Sequence, residues 1–265
     1  MSIFLFGAAA IVGYAASAAL IFRDAIKDSP HRTRLFLAWT AALMHGMYHY
    51  IHFSGGGRFN FGFFNISSLV SWIVVLLLLT ASVNKPLEKL GVAIFPLAGA
   101  LLLLDMAFPN EKHMVSIKNW EMGVHVLSSI LAFSLLNLAA LQAILLALQD
   151  QQLKSHHPKR LIRSLPPLQA METLLFRMLA LGMLFLSVSL MTGFVFIEDL
   201  FAQHLVHKTV LSIIAWFIFS GLLWGRLQYG WRGQTAIQLT LIGFVLLLLA
   251  YFGSKLVLEL ILHRV

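Results

Sequence analysis

Cysteine is absent from this 265-residue chain. Its absence rules out disulfide frameworks, thiolate metal sites, cysteine nucleophiles and covalent haem attachment through Cys-x-x-Cys-His. Charge is scarce as well: Asp, Glu, Lys and Arg supply 11% of the residues, where an average soluble domain carries about 25%. No polar stretch is long enough for a soluble domain. No HExxH pattern occurs, and no nucleophile–base or carboxylate pair stands out, so an enzyme is not expected.

What the chain has instead is apolar sequence, 59% of the total. A membrane-spanning helix needs about 20 mostly apolar residues. Eight such runs are legible, at 3–22, 34–53, 63–83, 91–108, 121–148, 173–197, 207–225 and 235–256. Breakers and polar residues separate them, among them Asp28-Ser29-Pro30, Ser54-Gly55-Gly56-Gly57, Asn84-Lys85-Pro86, Pro109-Asn110 and Pro166-Pro167. The run 121–148 exceeds what the hydrocarbon needs and is expected to tilt or project. Ile3 to Phe22 has neither a basic leader nor an Ala-x-Ala site and reads as a retained helix. The predicted fold is all-α, a polytopic bundle of about eight transmembrane helices forming a single domain over 1–265.

The net charge of +8 is spread over short loops, with no aromatic-interleaved basic face, so the lipid bilayer and not nucleic acid is the expected partner. Thirteen Lys and Arg fall on one side of the eight-span arrangement and six on the other. The positive-inside rule puts the thirteen in the cytoplasm and both termini outward, in the periplasm for a bacterial inner (cytoplasmic) membrane.

The eleven histidines sort unevenly on that topology. His31, His156 and His157 fall in cytoplasmic loops. His45, His49, His52, His113, His125, His204, His207 and His263 all fall in the outward half or in outward loops. Ionisable residues inside a span are costly and commonly mark a site. Offsets of four and seven put His45, His49 and His52 on one helix face. Measured from Arg34 at 1.5 Å per residue, His45 lies roughly 16 Å into the membrane and His49 about 22 Å. His125 sits roughly 6 Å below the outer surface, and His207 opens the seventh span. Imidazoles suit haem iron, and helix bundles hold macrocycles between apolar helices. Haem b is therefore the expected cofactor, with His125 and His45 or His49 as candidate iron ligands and His207 next. His45 and His49 share a face, so they cannot form an axial pair on one haem. Three other readings stand beside this one: interhelical hydrogen bonding by the histidines, a proton or cation path joined by Asp105, and a permease-like or interaction subunit with no cofactor.

The stretch Gly123-Val124-His125-Val126-Leu127-Ser128-Ser129-Ile130-Leu131-Ala132-Phe133 resembles the outer histidine helix of the CcsA-type cytochrome c assembly family. Similar to that family also are Asn65-Ile66-Ser67-Ser68-Leu69, Trp216-Phe217-Ile218-Phe219, Gly230-Trp231-Arg232-Gly233, Ile242-Gly243-Phe244 and Tyr251-Phe252-Gly253. Phe108-Pro109-Asn110-Glu111 and Leu165-Pro166-Pro167-Leu168 resemble the YpjD-like branch of small eight-helix inner-membrane proteins. The resemblance implies haem handling in the membrane, with His125 at the place of an outer axial ligand. It also exposes departures. The family's tryptophan-rich loop would fall at 198–206, which contains no tryptophan. An intramembrane histidine of the seventh helix falls on Trp224, and the other outer histidine falls about at Leu262, next to His263. These departures speak against covalent ligation of haem to an apocytochrome. The expected role is haem handling in cytochrome maturation, or a haem-linked subunit regulating another membrane protein.

Overall fold

The structure, a computed structural model, describes residues 2–27, 33–54, 59–60, 62–84, 87–108, 114–115, 120–154, 166–196 and 206–253. Eight α-helices follow in order among them: α1 (Ser2–Lys27), α2 (Thr33–Ser54), α3 (Phe63–Asn84), α4 (Gly91–Ala107), α5 (Trp120–Lys154), α6 (Leu168–Phe196), α7 (Val206–Tyr229) and α8 (Gln234–Leu248). A 3-10 turn, Glu88–Leu90, leads into α4, and α8 runs on into a π turn, Leu249–Gly253. Among the described residues the strand structure is a short antiparallel ladder between β1 (Phe59–Asn60) and β2 (Met114–Val115), pairing Phe59 with Val115 and Asn60 with Met114. Each expected span has its helix. The tails of two spans, 197 and 254–256, lie outside the described residues.

Seven of these helices are long and apolar enough to cross a membrane. The eighth, α2, matches them in length at 22 residues, but His45, His49 and His52 interrupt its apolar character. Helix α5 has 35 residues, about 52 Å at 1.5 Å each, and so outruns the roughly 30 Å hydrocarbon core as its sequence suggested. Its excess is a polar end, where Lys154 Nζ donates to Asp150 Oδ2 across 2.7 Å one turn away.

The chain divides into two compact units, Met1–Ser116 with Pro158–Pro166, and Ile117–His157 with Pro167–Val265. In the first unit α1 packs on α2 and α4, and α3 on α4 and α2. Lipid offers helices no hydrophobic drive to associate, so close backbone approach and interhelical hydrogen bonds must supply it. Both are present. A Cβ on Gly13 of α1 would stand 2.9 Å from the Cβ of Ala41 on α2, and one on Gly46 would stand 2.6 Å from the Trp72 ring. Trp72 of α3 then donates its indole N–H to the Ala42 carbonyl at 2.7 Å. Tyr14, Leu78, Phe95 and Leu102 fill the core.

In the second unit α5 packs mainly on α6 and also on α8, while α7 packs on α8 and α6. Phe133, Leu136, Met171 and Phe219 are fully buried there. The turn from α7 to α8 is the Gly230-Trp231-Arg232-Gly233 motif, and its glycines carry φ of 65° and 58°. Trp231 folds back over Gly225, its N–H donating to the Gly225 carbonyl at 3.1 Å. Arg226 Nη1 donates to the Trp231 carbonyl at 3.2 Å, and the Gly233 N–H donates to Glu172 Oε1 on α6 at 2.6 Å. Arg226 also lies 3.9 Å from Glu172 Oε2 and 4.7 Å over the Phe176 ring. The motif is thus a clasp that ties α6, α7 and α8 at one end.

Candidate functional site

His125 lies on α5, half-buried and facing α6. Its Nδ1 is 3.0 Å from the Ser189 carbonyl oxygen and 3.3 Å from Thr192 Oγ1. A carbonyl only accepts, so Nδ1 carries the proton and Nε2 keeps its lone pair. Among the described residues Nε2 has no hydrogen-bond partner. Gly193 flanks the ring, and a Cβ there would come within 3.2 Å of Cε1. Beneath the ring lies a hydroxyl layer. Ser129 Oγ donates to the His125 carbonyl at 2.6 Å, and the Ser129 and Ser189 hydroxyls meet at 2.6 Å. Tyr251, in the π turn, donates to the Ser129 carbonyl at 3.4 Å. The histidine is therefore held in one tautomer by a backbone carbonyl, the arrangement usual for an imidazole that ligates a metal.

The second cluster lies in the other unit. His45 is fully buried, at 0% exposure, and both its ring nitrogens are engaged. Nδ1 lies 3.2 Å from the Tyr14 hydroxyl on α1, and Nε2 lies 3.0 Å from Ser68 Oγ on α3. Ser68 Oγ is also 3.3 Å from His49 Nε2, and the His45 and His49 rings stack with centroids 5.0 Å apart. Tyr48 packs edge-on against His49 and His52, with centroids 5.5 and 4.8 Å away. Tyr48 also lies beside the buried Asp105 of α4, whose carboxylate accepts from Asn65 Nδ2 at 3.2 Å. The predicted one-face stripe of His45, His49 and His52 is real.

The candidate ligands are distributed unevenly by this arrangement. His45 and His49 come together in the first unit. His125 belongs to the second. The backbone of His207 opens α7 in that second unit, but its side chain lies outside the described residues, as do His113, His204 and His263 altogether. Trp224, which takes the place of the family's intramembrane histidine, is exposed on α7. Sequence reading missed several participants. Ser189, Thr192 and Gly193 were unmarked because polar and small residues are common in spanning helices. Asp24, buried on α1, and Glu172, buried at the clasp, carry no spacing or motif that marks them in the sequence. Ser68 was noticed only as part of a resemblance, although two adjacent serines inside an apolar run are a signal in themselves.

Fold and site together define a multi-pass α-helical membrane protein with buried histidine–hydroxyl clusters. The profile of the cytochrome C assembly protein family matches residues 32–262, and the chain belongs to that family. It is 33% identical to inner membrane protein YpjD of Escherichia coli (strain K12) over 270 aligned residues, covering 97% of this chain and 99% of that protein. It is 34% identical to an uncharacterized 28.8 kDa protein of Azospirillum brasilense over 141 residues, 52% of each. Cytochrome c biogenesis protein CcsA of Chlamydomonas reinhardtii is 26% identical over 141 residues, 52% of this chain and 38% of the relative. No solved structure matches the chain.

Proposed function

We propose that the protein binds haem b through His125 and serves haem handling in cytochrome c assembly, without itself ligating haem covalently. One observation carries the reading. The Ser189 carbonyl fixes the proton on Nδ1 of His125, which leaves the Nε2 lone pair available to iron. The donor chemistry fits haem: a neutral imidazole with no carboxylate among its contacts in the described residues. Bound haem would supply an iron centre able to exchange axial ligands and electrons. The chain's part is to hold the imidazole in register, through Ser189, Thr192 and the open flank at Gly193.

Iron is not assigned to His45 or His49 in this reading. His45 already spends both nitrogens on Tyr14 and Ser68, and His49 meets the same serine. His207, whose backbone opens α7, would be the second candidate to hold the group. The relative named an inner membrane protein supports residence in the bacterial inner membrane, and the Lys and Arg asymmetry supports outward termini.

The test is the visible spectrum of protein extracted from membranes after expression with ample haem. A Soret band that falls on His125→Ala supports the reading. Colourless wild-type protein overturns it and favours an interaction subunit without cofactor.

A further inference from the structure

The first unit holds a polar line that haem binding at His125 does not use. Tyr14, His45, Ser68 and His49 form an unbroken hydrogen-bonded chain across α1, α2 and α3, with steps of 3.2, 3.0 and 3.3 Å. Every member can both give and accept a proton. Ser68 Oγ stands between two Nε2 atoms, so it donates to one imidazole and accepts from the other. The chain can therefore run either way: from Tyr14 through Nδ1 of a His45 that is protonated on Nε2, or in reverse with both imidazoles in the opposite tautomer.

The line extends beyond these four residues. Gly7 packs beside Tyr48 and Gly13 beside Ala41, so α1 and α2 are antiparallel. Moving from Tyr14 along α1, buried Ser17 and Asp24 continue the same face toward one end of the unit. Moving from His45 along α2, His49, Tyr48 and His52 lead to the other end, where Tyr48 meets buried Asp105. Asp24, His45 and Asp105 are the buried ionisable side chains of the described first unit apart from its tyrosines; His45 lies in the chain, and the two carboxylates lie toward its opposite ends, Asp24 beside Arg23. Ten residues from Asp24 to Tyr14 and seven from His45 to His52 give about 25 Å, close to the roughly 30 Å hydrocarbon thickness.

We propose that this line is a proton relay through the first unit. A proton arriving at His49 Nδ1 lets Nε2–H pass its proton to Ser68 Oγ. Ser68 passes its own to His45 Nε2, His45 Nδ1–H passes to the Tyr14 oxygen, and the former phenol proton leaves toward the Ser17 and Asp24 side. One proton enters and one leaves, and each group has gained one and lost one. The imidazoles end in the opposite tautomer, and turning of the rings and hydroxyls resets the line, since a reverse proton shift would carry the proton back. Hydroxyls and imidazoles also hold membrane helices together, but helix association does not require a chain that works in both directions or a carboxylate near each end.

The relay is tested with purified full-length protein in liposomes, where a potassium gradient with valinomycin drives proton uptake read by an enclosed pH dye. Wild-type vesicles should acidify faster than protein-free ones. Ser68→Ala should bring the rate down to that of protein-free vesicles, and Ser68→Thr, which keeps the hydroxyl, should restore it. Trp72→Phe removes the indole's bond to the Ala42 carbonyl but keeps an aromatic ring beside His49, and should leave flux in place. Wild-type flux no greater than that of protein-free vesicles, or flux untouched by Ser68→Ala, overturns the proposal. Nitrogen NMR of histidine-labelled wild type provides a reading that survives a misfolded variant. Exchange-averaged tautomers at His45 and His49 support the relay, whereas single fixed tautomers at both overturn it. None of these outcomes depends on haem.

Discussion

Nδ1 of His125 lies 3.0 Å from the backbone carbonyl oxygen of Ser189, one residue layer above the point where the Ser129 and Ser189 hydroxyls meet. The contact joins α5 to α6 through main chain, which a side-chain substitution at Ser189 leaves in place. The ring is consequently set by the helix backbones themselves. Consequences for haem and for the fold can be measured.

Gly193→Ala would place a methyl group about 3 Å from Cε1 of His125 and push the ring off its carbonyl. Haem affinity should fall by about tenfold, the lower end of what loss of a ligand-orienting contact costs. Titration of haem-depleted protein with hemin measures this, and equal affinity would show that the ring is not positioned from that side.

Thr192→Val removes the hydroxyl 3.3 Å from Nδ1 and leaves the Ser189 carbonyl in place. The effect on the haem spectrum should be small, clearly less than that of Gly193→Ala. A Thr192→Val loss as large as that of His125→Ala would transfer the orienting role to the hydroxyl.

Acid should strip haem from the protein. Iron binds the imidazole lone pair, and a proton on Nε2 occupies it, so the ligand-free form takes up a proton that the haem-bound form does not. Binding is therefore complete on the alkaline side and is lost as pH falls. A Soret titration checks the sign, and a band that strengthens on acidification would contradict it.

Gly233→Ala should destabilise the second unit. At φ 58° and ψ −127° the backbone is in a region that a side chain disfavours, at a cost of about 1–3 kcal/mol. Glu172→Ala should lower the melting temperature too, because it leaves the Gly233 N–H and the Arg226 guanidinium without their carboxylate. Thermal unfolding in detergent reports both.

Gly46→Ala in the first unit would set a methyl group 2.6 Å from the Trp72 ring. Overpacking of this kind costs about 1–3 kcal/mol, and the variant should melt earlier than wild type. Reporter fusions to either terminus complete the set: a reporter active only in the periplasm should work at both ends if the thirteen-to-six distribution of Lys and Arg sets the topology.

Much of the fold was legible because a bilayer leaves few choices. Runs of about 20 apolar residues must become helices, since nothing in lipid satisfies a bare peptide group. Hence each run has its helix, and the over-long α5 was visible as such. Helix ends were less visible. Leu168–Phe196 begins five residues before its predicted start because Pro167 accepts from the Ala170 and Met171 N–H groups and opens the helix early. The histidine stripe on α2 was legible from spacing alone. Its company was not, for Ser68 and Tyr14 are 23 and 31 residues from His45 and meet it only across helix contacts.

Composition and periodicity determined by themselves that this chain is a multi-pass helical membrane protein, with His45, His49 and His52 on one face and His125 at the head of a long helix. Only the tertiary structure decided what each imidazole does. A ring nitrogen's role depends on whether its neighbour is a carbonyl or a hydroxyl. His125 meets a carbonyl, which locks one tautomer and leaves a lone pair for a ligand. His45 meets two hydroxyls, which lock neither.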